Sequence, residues 1–165
     1  MIAAGIDAGG TKIEVQLFDD DWQVIGSNRI PTPKDYNQLV VAVVEQVYWA
    51  DRQAGKAIPV GLGFPGLIDR NTGLALTANL PATGKLLPRD INKICGRDIT
   101  FLNDCRALAL SKAVFGFGQG HKTVLSFILG TGIGRGITVH GTLWLGPNDI
   151  AGEFGHLPLP AQMVA

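Results

Sequence analysis

Gly5-Ile6-Asp7-Ala8-Gly9-Gly10-Thr11-Lys12 is the most informative stretch of this 165-residue chain. It begins as a short apolar strand, reaches an acidic residue and two glycines, and gives way to a second strand over residues 13–18. Glycines let backbone amides come close to an anion, and the hydroxyl of Thr11 and the amine of Lys12 add donors. The pattern is typical of a hairpin whose turn binds phosphate, although an ordinary glycine-rich hairpin looks the same. A Walker A loop is excluded, because that motif needs G-x-x-x-x-G-K-[ST] in front of a helix.

Composition argues against nucleic acid and membranes as partners. Hydrophobic residues make up 46% of the sequence, and 14 basic residues balance 14 acidic ones, so no basic surface for nucleic acid is expected. The apolar runs are too short to cross a bilayer, and the N-terminus lacks the features of a signal peptide. Two cysteines are too few for a disulfide framework. The composition therefore predicts a cytoplasmic protein with neither nucleic acid nor a membrane as partner.

The order of predicted elements suggests one complete domain and part of another. Three strands are expected first as an antiparallel meander, followed by helices and buried strands, with a polar loop region over residues 67–81. Glycines at positions 116, 118 and 120 predict a hinge, which gives an N-terminal domain over residues 1–118 and the beginning of a second over 119–165. The expected strands cover 2–7, 13–18, 22–30, 58–64 and 99–102, and the expected helices 36–53, 88–95 and 104–114.

The second unit repeats the pattern of the first. A strand over 123–129, a glycine turn over 130–136 and a strand over 137–140 favour an internal duplication in which each unit gives a glycine turn to one ligand, although two unrelated hairpins are the alternative. No helix follows to cover this sheet, so an exposed apolar face is expected. The chain then reads as a fragment or as one completed by a partner, which makes a homo-oligomer plausible.

Three further motifs carry candidate chemistry. Gly61-Leu62-Gly63-Phe64-Pro65-Gly66 matches the dinucleotide fingerprint, but no helix opens after it, so we expect a loop that lets a small polar ligand approach the backbone. Asn103-Asp104 could cap a helix, or Asp104 could take a proton from a substrate hydroxyl at the end of a strand, and the two roles are compatible. Glu153 and His156 form either a plain turn or a ligand-binding pair. Cys95 and Cys105 lack metal-site spacing, so no complete zinc site is expected within the chain.

Together these motifs resemble the ROK family of sugar kinases, whose fold is α/β, ribonuclease-H-like and duplicated as in the actin-like ATPases. The resemblance implies one complete N-terminal lobe and the start of a second lobe. A finer resemblance, to bacterial N-acetylglucosamine kinases, lies in Thr77-Ala78-Asn79-Leu80-Pro81-Ala82 and in residues 152–160. The segments that match, in family order, are Asp7-Ala8-Gly9-Gly10-Thr11-Lys12, Gly63-Phe64-Pro65-Gly66, Asn103-Asp104, residues 130–136 and Glu153-Phe154-Gly155-His156.

The resemblance implies an activity and a role for each motif. The expected reaction is ATP-dependent phosphorylation of a sugar hydroxyl, most closely that of N-acetyl-D-glucosamine to its 6-phosphate, with Asp104 as the base; glucose, fructose and N-acetylmannosamine are the alternative substrates. Asp7 is expected near magnesium, and His156 is expected to bind a structural zinc whose other ligands lie beyond residue 165. The implied sugar-binding residues are Gly66, Asn79, Asn103, Asp104, Glu153 and His156. The implied ATP-phosphate residues are Asp7, Gly9, Gly10, Thr11, Lys12, Gly130, Thr131, Gly132, Ile133, Gly134, Arg135 and Gly136.

The sequence also departs from the family pattern. Arg135 stands where the family usually has another glycine, so it would either block a tight turn or add a charge to the phosphate site. Cys105-Arg106 replaces the usual Ala-Asn after the aspartate. A non-catalytic remnant that binds sugar is one alternative, and these 165 residues alone are expected to be inactive. A sugar-responsive repressor of the same fold is another, but it needs a DNA-binding motif ahead of a phosphate loop that here begins at residue 5.

Overall fold

The computed structural model describes residues 2–129, 133–146 and 150–152. The chain divides into two compact units, Met1–Asp104 and Cys105–Ala165. The predicted boundary between residues 118 and 119 therefore falls inside the second unit. No helix in the described part of the chain is long and apolar enough to cross a membrane.

The first unit is built on a five-stranded mixed sheet. Its strands lie in the order β3-β2-β1-β4-β7, with β1 antiparallel to β2, β2 antiparallel to β3, and β1, β4 and β7 mutually parallel. The predicted meander and the buried strands that follow it are confirmed. The elements of this unit are β1 (Ala3–Ala8), β2 (Lys12–Phe18), β3 (Val24–Pro31), α1 (Tyr36–Ala54), β4 (Val60–Phe64), β5 (Gly66–Ile68), β6 (Ala75–Thr77), α2 (Leu87–Cys95) and β7 (Thr100–Asn103).

Helix α1 is capped at both ends. The Asp35 carboxylate accepts a hydrogen bond from the Gln38 N–H at 3.0 Å, and Gly55 closes the helix in the left-handed conformation with φ 67°. The buried residues of the helix other than Gln46 form one apolar stripe, which the spacing of the valines indicates. That stripe shares one core with Ile13 and Val15 of β2, both of which are fully buried. The sheet thereby packs against α1 through this core.

A short hairpin replaces part of the predicted polar loop. Strands β5 and β6 pair antiparallel from Gly66 opposite Thr77 to Ile68 opposite Ala75. The Asp69 carboxylate accepts hydrogen bonds from the N–H groups of Asn71 and Thr72 at 3.0 and 2.7 Å, which closes the connecting turn. The sequence shows this turn as a polar cluster, but strands of three residues are too short to leave a readable alternation.

The second unit contains a three-stranded antiparallel sheet, β10-β9-β8, and most of a helix. Its strands are β8 (Thr123–Leu129), β9 (Ile133–Val139) and β10 (Thr142–Leu143), and α3 spans Asp104–Val114. The prediction of a glycine turn over residues 130–136 is wrong for its second half, because Ile133 pairs with Leu129 and β9 begins there. Gly130, Thr131 and Gly132 lie outside the described residues.

One face of this second sheet is apolar and exposed, as expected. The side chains of Phe127, Leu129 and Trp144 are 50%, 78% and 59% exposed. Phe127 and Leu129 lie two residues apart on β8 and so share a face. The opposite face carries the buried Ser126.

Candidate active site

The first glycine turn joins β1 to β2, as predicted. The Gly9 N–H donates to the Lys12 carbonyl oxygen at 2.9 Å, which closes the hairpin. Thr32, just after β3, holds the turn from the side: its hydroxyl donates to the Gly9 carbonyl at 2.6 Å and its N–H donates to the Thr11 carbonyl at 3.0 Å. Sequence reasoning did not identify Thr32, because no phosphate motif includes it.

Two carboxylates near the carboxyl ends of the strands are close enough for their charges to interact. Asp7 stands near the end of β1, and Asp104 follows β7 two strands away in the same sheet. Partial burial, and then the negative charge of Asp104, raise the pKa of Asp7, and the positive charge of Lys12 works against them. Carboxylate oxygens are the ligands that Mg²⁺ prefers, so this pair fits the divalent cation that the family resemblance implies.

Lys12 is paired with a residue that sequence reasoning missed. Its ammonium lies 3.1 Å from a Glu14 carboxylate oxygen, and the Arg29 guanidinium lies 2.7 Å from the same oxygen. These hydrogen bonds, from Lys12 and then from Arg29, lower the pKa of Glu14. The signal was present in the sequence, because residues two apart on a strand share a face.

Asn79 lies against the first glycine turn. A Cβ atom added to Gly10 would stand 2.7 Å from the Asn79 Cβ and 2.9 Å from the Asn79 carbonyl oxygen, so only glycine permits this approach. Asn79 itself adopts the left-handed conformation with φ 62°, which asparagine tolerates better than most residues. The structure thus brings a predicted sugar-binding residue into contact with a predicted phosphate-binding one.

The segment around Asn79 is held by its own hydrogen bonds. The Thr77 hydroxyl donates to the Leu80 carbonyl at 2.9 Å, and the Thr77 N–H donates to the Thr83 hydroxyl at 3.0 Å. The Ala78 N–H donates to the Pro65 carbonyl at 2.8 Å. These bonds hold the residues on both sides of Asn79 in place.

Gly66 and Asn103 are joined directly. The Asn103 side-chain amide donates to the Gly66 carbonyl at 3.2 Å. A Cβ on Gly66 would lie 2.9 Å from the Phe64 ring and would collide with the backbone of β6 at Leu76. Because β4 and β7 are parallel neighbours, with Phe64 opposite Asn103, their carboxyl ends place these residues at one edge of the sheet.

Three predicted phosphate-binding residues of the second unit, Gly134, Arg135 and Gly136, contact other parts of that unit. Within that unit, a Cβ on Gly136 would stand 2.6 Å from the Ala109 Cβ, and a Cβ on Gly134 would collide with the Cys105 sulfur. Both glycines therefore let α3 pack closely on β9. Arg135 lies in β9 rather than in a turn, with its buried guanidinium 3.3 Å from the Gly152 carbonyl and 5.4 Å from the centre of the Phe127 ring. It does not block a tight turn, because the backbone at this position is extended.

Two predicted residues, Glu153 and His156, lie outside the described part of the chain. Among the described residues, no group of three or more histidine, cysteine, aspartate or glutamate side chains gathers as a metal site would require.

A scan of family models matches the ROK family to residues 3–164. The chain belongs to the ROK family. The N-acetyl-D-glucosamine kinase of Pectobacterium atrosepticum is 42% identical over 160 residues, which are 96% of this chain and 53% of that protein. The N-acetylgalactosamine kinase AgaK of Shewanella sp. is 39% identical over 161 residues, covering 96% of this chain and 52% of that protein. The chain thus spans about half the length of the curated relatives it matches.

Solved ROK structures confirm the fold predicted from the sequence. The ROK hexokinase from Thermus thermophilus superimposes with a TM-score of 0.86 at 33% identity, covering 97% of this chain and 54% of that one. A ROK family glucokinase from Streptomyces griseus, solved with glucose and AMPPNP, gives 0.83 at 30% identity, covering 97% and 51%. The fold is therefore ribonuclease-H-like and α/β, with an N-terminal lobe and the beginning of a second.

Proposed function

We propose that the protein transfers the terminal phosphoryl group of ATP to a hydroxyl of an N-acetylhexosamine, with N-acetyl-D-glucosamine as the preferred substrate and its 6-phosphate as product. The observation that carries the proposal is the gathering of Asp7, Gly10, Asn79 and Asn103-Asp104 at one edge of the first sheet. The names of the curated relatives support the choice of sugar.

Asp104 acts as the base in this proposal. Its carboxylate accepts the proton of the sugar hydroxyl while that oxygen bonds to the terminal phosphorus and the bond to the leaving ADP oxygen breaks. Such a reaction depends mainly on positioning and on neutralising charge, with one group to orient the nucleophile. The repulsion between Asp104 and Asp7 fits a site that gains a cation when ATP binds. Asp7 would hold Mg²⁺, which would supply charge neutralisation at the transferred phosphate.

The remaining site residues divide between the two substrates. Gly66, Asn79, Asn103, Glu153 and His156 hold the sugar beside Asp104. Asp7 and the turn from Gly9 to Lys12 hold ATP phosphates. The second phosphate-binding segment is proposed on the resemblance alone, and it runs through Gly130, Thr131, Gly132, Ile133, Gly134, Arg135 and Gly136.

Four further parts of the proposal rest on family resemblance or composition rather than on geometry. His156 is one ligand of a structural zinc whose other ligands follow residue 165. The protein works in the cytoplasm, and it associates into a homo-oligomer. Its two lobes divide between residues 118 and 119.

The alternatives are separated by a panel of sugars. We expect kcat/KM of the full-length protein with Mg²⁺-ATP to be highest for N-acetyl-D-glucosamine, ahead of N-acetylgalactosamine, N-acetylmannosamine, glucose and fructose. A higher value for glucose or fructose would show that the protein is a ROK kinase for that sugar instead. Tight binding of a sugar with no ADP formed from any of the five would favour the non-catalytic alternative.

A further inference from the structure

We propose that Thr32 is a positioning residue: it sets the direction of backbone N–H groups in the first glycine turn so that they meet the phosphates of ATP. This inference rests on the proposed function. Thr32 belongs to none of the motifs that carry the family resemblance, and it lies outside the strands that flank the turn.

Thr32 makes two bonds to the turn from a buried position. Its side chain is only 7% exposed, and its hydroxyl reaches the Gly9 carbonyl at 2.6 Å while its N–H reaches the Thr11 carbonyl at 3.0 Å. Pro31 and Pro33 stand on either side of it. Proline fixes its own φ and confines the residue before it to extended conformations, so Thr32 has little freedom to leave these partners.

A bond to the Gly9 carbonyl also fixes the Gly10 N–H. The peptide group between Gly9 and Gly10 is planar and trans, so its C=O and N–H point in opposite directions. Thr32 draws the carbonyl to its own side, and the Gly10 N–H therefore points to the other. The same argument applies one peptide further, where the Lys34 ammonium lies 3.3 Å from the Gly10 carbonyl and the Thr11 N–H points away from it.

These two N–H groups are available for a ligand. Among the residues that the structure describes, no acceptor is found for the N–H of Gly10 or of Thr11. Successive backbone N–H groups in a turn form a concave site for anions, and phosphate oxygens are such anions. Lys34 is exposed and its bond is long, so the buried Thr32 makes the larger contribution.

Matched variants of the full-length protein test this role. Thr32→Val keeps the shape and the backbone bond but removes the hydroxyl, and Thr32→Ser keeps the hydroxyl. Tyr48→Phe is the control for loss of a hydroxyl elsewhere, since it removes an exposed bond from the tyrosine hydroxyl to the Ile94 carbonyl at 3.0 Å. We expect Thr32→Val to weaken binding of Mg²⁺-AMPPNP about tenfold, as loss of one buried hydrogen bond does. Thr32→Ser and Tyr48→Phe should bind it as the wild type does, and sugar affinity should not change in any of the three.

A second readout does not depend on the nucleotide. In ¹⁵N relaxation of the ligand-free protein, we expect the order parameter of the Gly10 amide to fall from about 0.85 to below about 0.6 in Thr32→Val only. Unchanged order and unchanged AMPPNP affinity in Thr32→Val would overturn the inference, and so would an equal loss of sugar and nucleotide affinity. A wild-type protein that binds no nucleotide, with Gly10 still loosened in Thr32→Val, would end the proposed function and leave the bracing role of Thr32 intact.

Discussion

Two glycine-rich segments of this chain look alike in sequence, but their described glycines are approached by different neighbours. In the first unit, Gly10 lies at a tight turn, and glycine is needed there because Asn79 occupies the space where a side chain would be. In the second, Gly134 and Gly136 lie inside strand β9, and glycine is needed there because α3 packs on them. At these positions glycine permits a close approach to the backbone, and only the fold shows whether the neighbour is a polar loop or a helix.

The largest effect is expected at Asp104, at the polar strand ends of the first unit. In Asp104→Asn we expect kcat to fall by about 10²–10⁴-fold, because an amide cannot take the proton of the sugar hydroxyl. The KM for the sugar should change little, since the amide still forms hydrogen bonds. Asp98→Asn, a matched change at an exposed carboxylate ahead of the amino end of β7, should keep full activity. A kcat for Asp104→Asn close to that of the wild type would remove Asp104 from the mechanism.

The next prediction sets the two kinds of glycine against each other. Gly10→Ala would push Asn79 and the turn apart. Misplacing substrate-binding groups in this way costs roughly 10²-fold in kcat/KM. Gly136→Ala would instead overpack the contact with Ala109 and Cys105 and lower the free energy of unfolding by about 1–3 kcal/mol.

Gly61→Ala is the control for both changes, because nothing lies within 4 Å of a Cβ at that position. Thermal unfolding and steady-state kinetics on all three variants check the pair. A Gly10→Ala protein that loses stability in proportion to its activity would show that the first turn is as structural as the second.

The smallest expected effect is a slight gain in stability when the negative charge of Asp7 is removed. Because the pKa of Asp7 is raised in the folded state, its ionisation costs stability as the pH rises from its ordinary pKa through the raised one. Asp7→Asn should therefore raise the melting temperature slightly at neutral pH and not at pH 3, although it removes a group needed for activity.

Magnesium sharpens that prediction. The ion should raise the melting temperature of the wild type, since it binds only the folded protein, and should do so less in Asp7→Asn. Thermal unfolding at several pH values, with and without Mg²⁺, provides the measurement. A lower melting temperature for Asp7→Asn at neutral pH would show that the carboxylate is stabilising and would contradict the assigned direction.

Much of the first unit could be predicted from the sequence because its signals are local. The stripe of valines in α1, the helix end at Gly55, and the glycine turn after β1 each lie within a few neighbouring residues. The resemblance to ROK kinases added the fold, which the solved structures confirm.

What could not be predicted depends on contacts between distant segments. Thr32 reaches Gly9 across 23 positions of the chain, and Asn79 meets Gly10 from a different strand pair. The start of β9 at Ile133 was missed because Gly134 and Gly136 resemble a turn until α3 is placed against them. Sequence periodicity carries no information on such partners.

Phosphorus NMR of the reaction product tests the proposed chemistry directly. The full-length protein would be incubated with Mg²⁺-ATP and N-acetyl-D-glucosamine, beside a sample that holds the 6-deoxy sugar. We predict one new phosphate monoester coupled to the C6 protons, formed together with ADP, and none from the 6-deoxy sugar. ATP left intact in both samples, or a phosphate on a carbon other than C6, would contradict the proposed reaction.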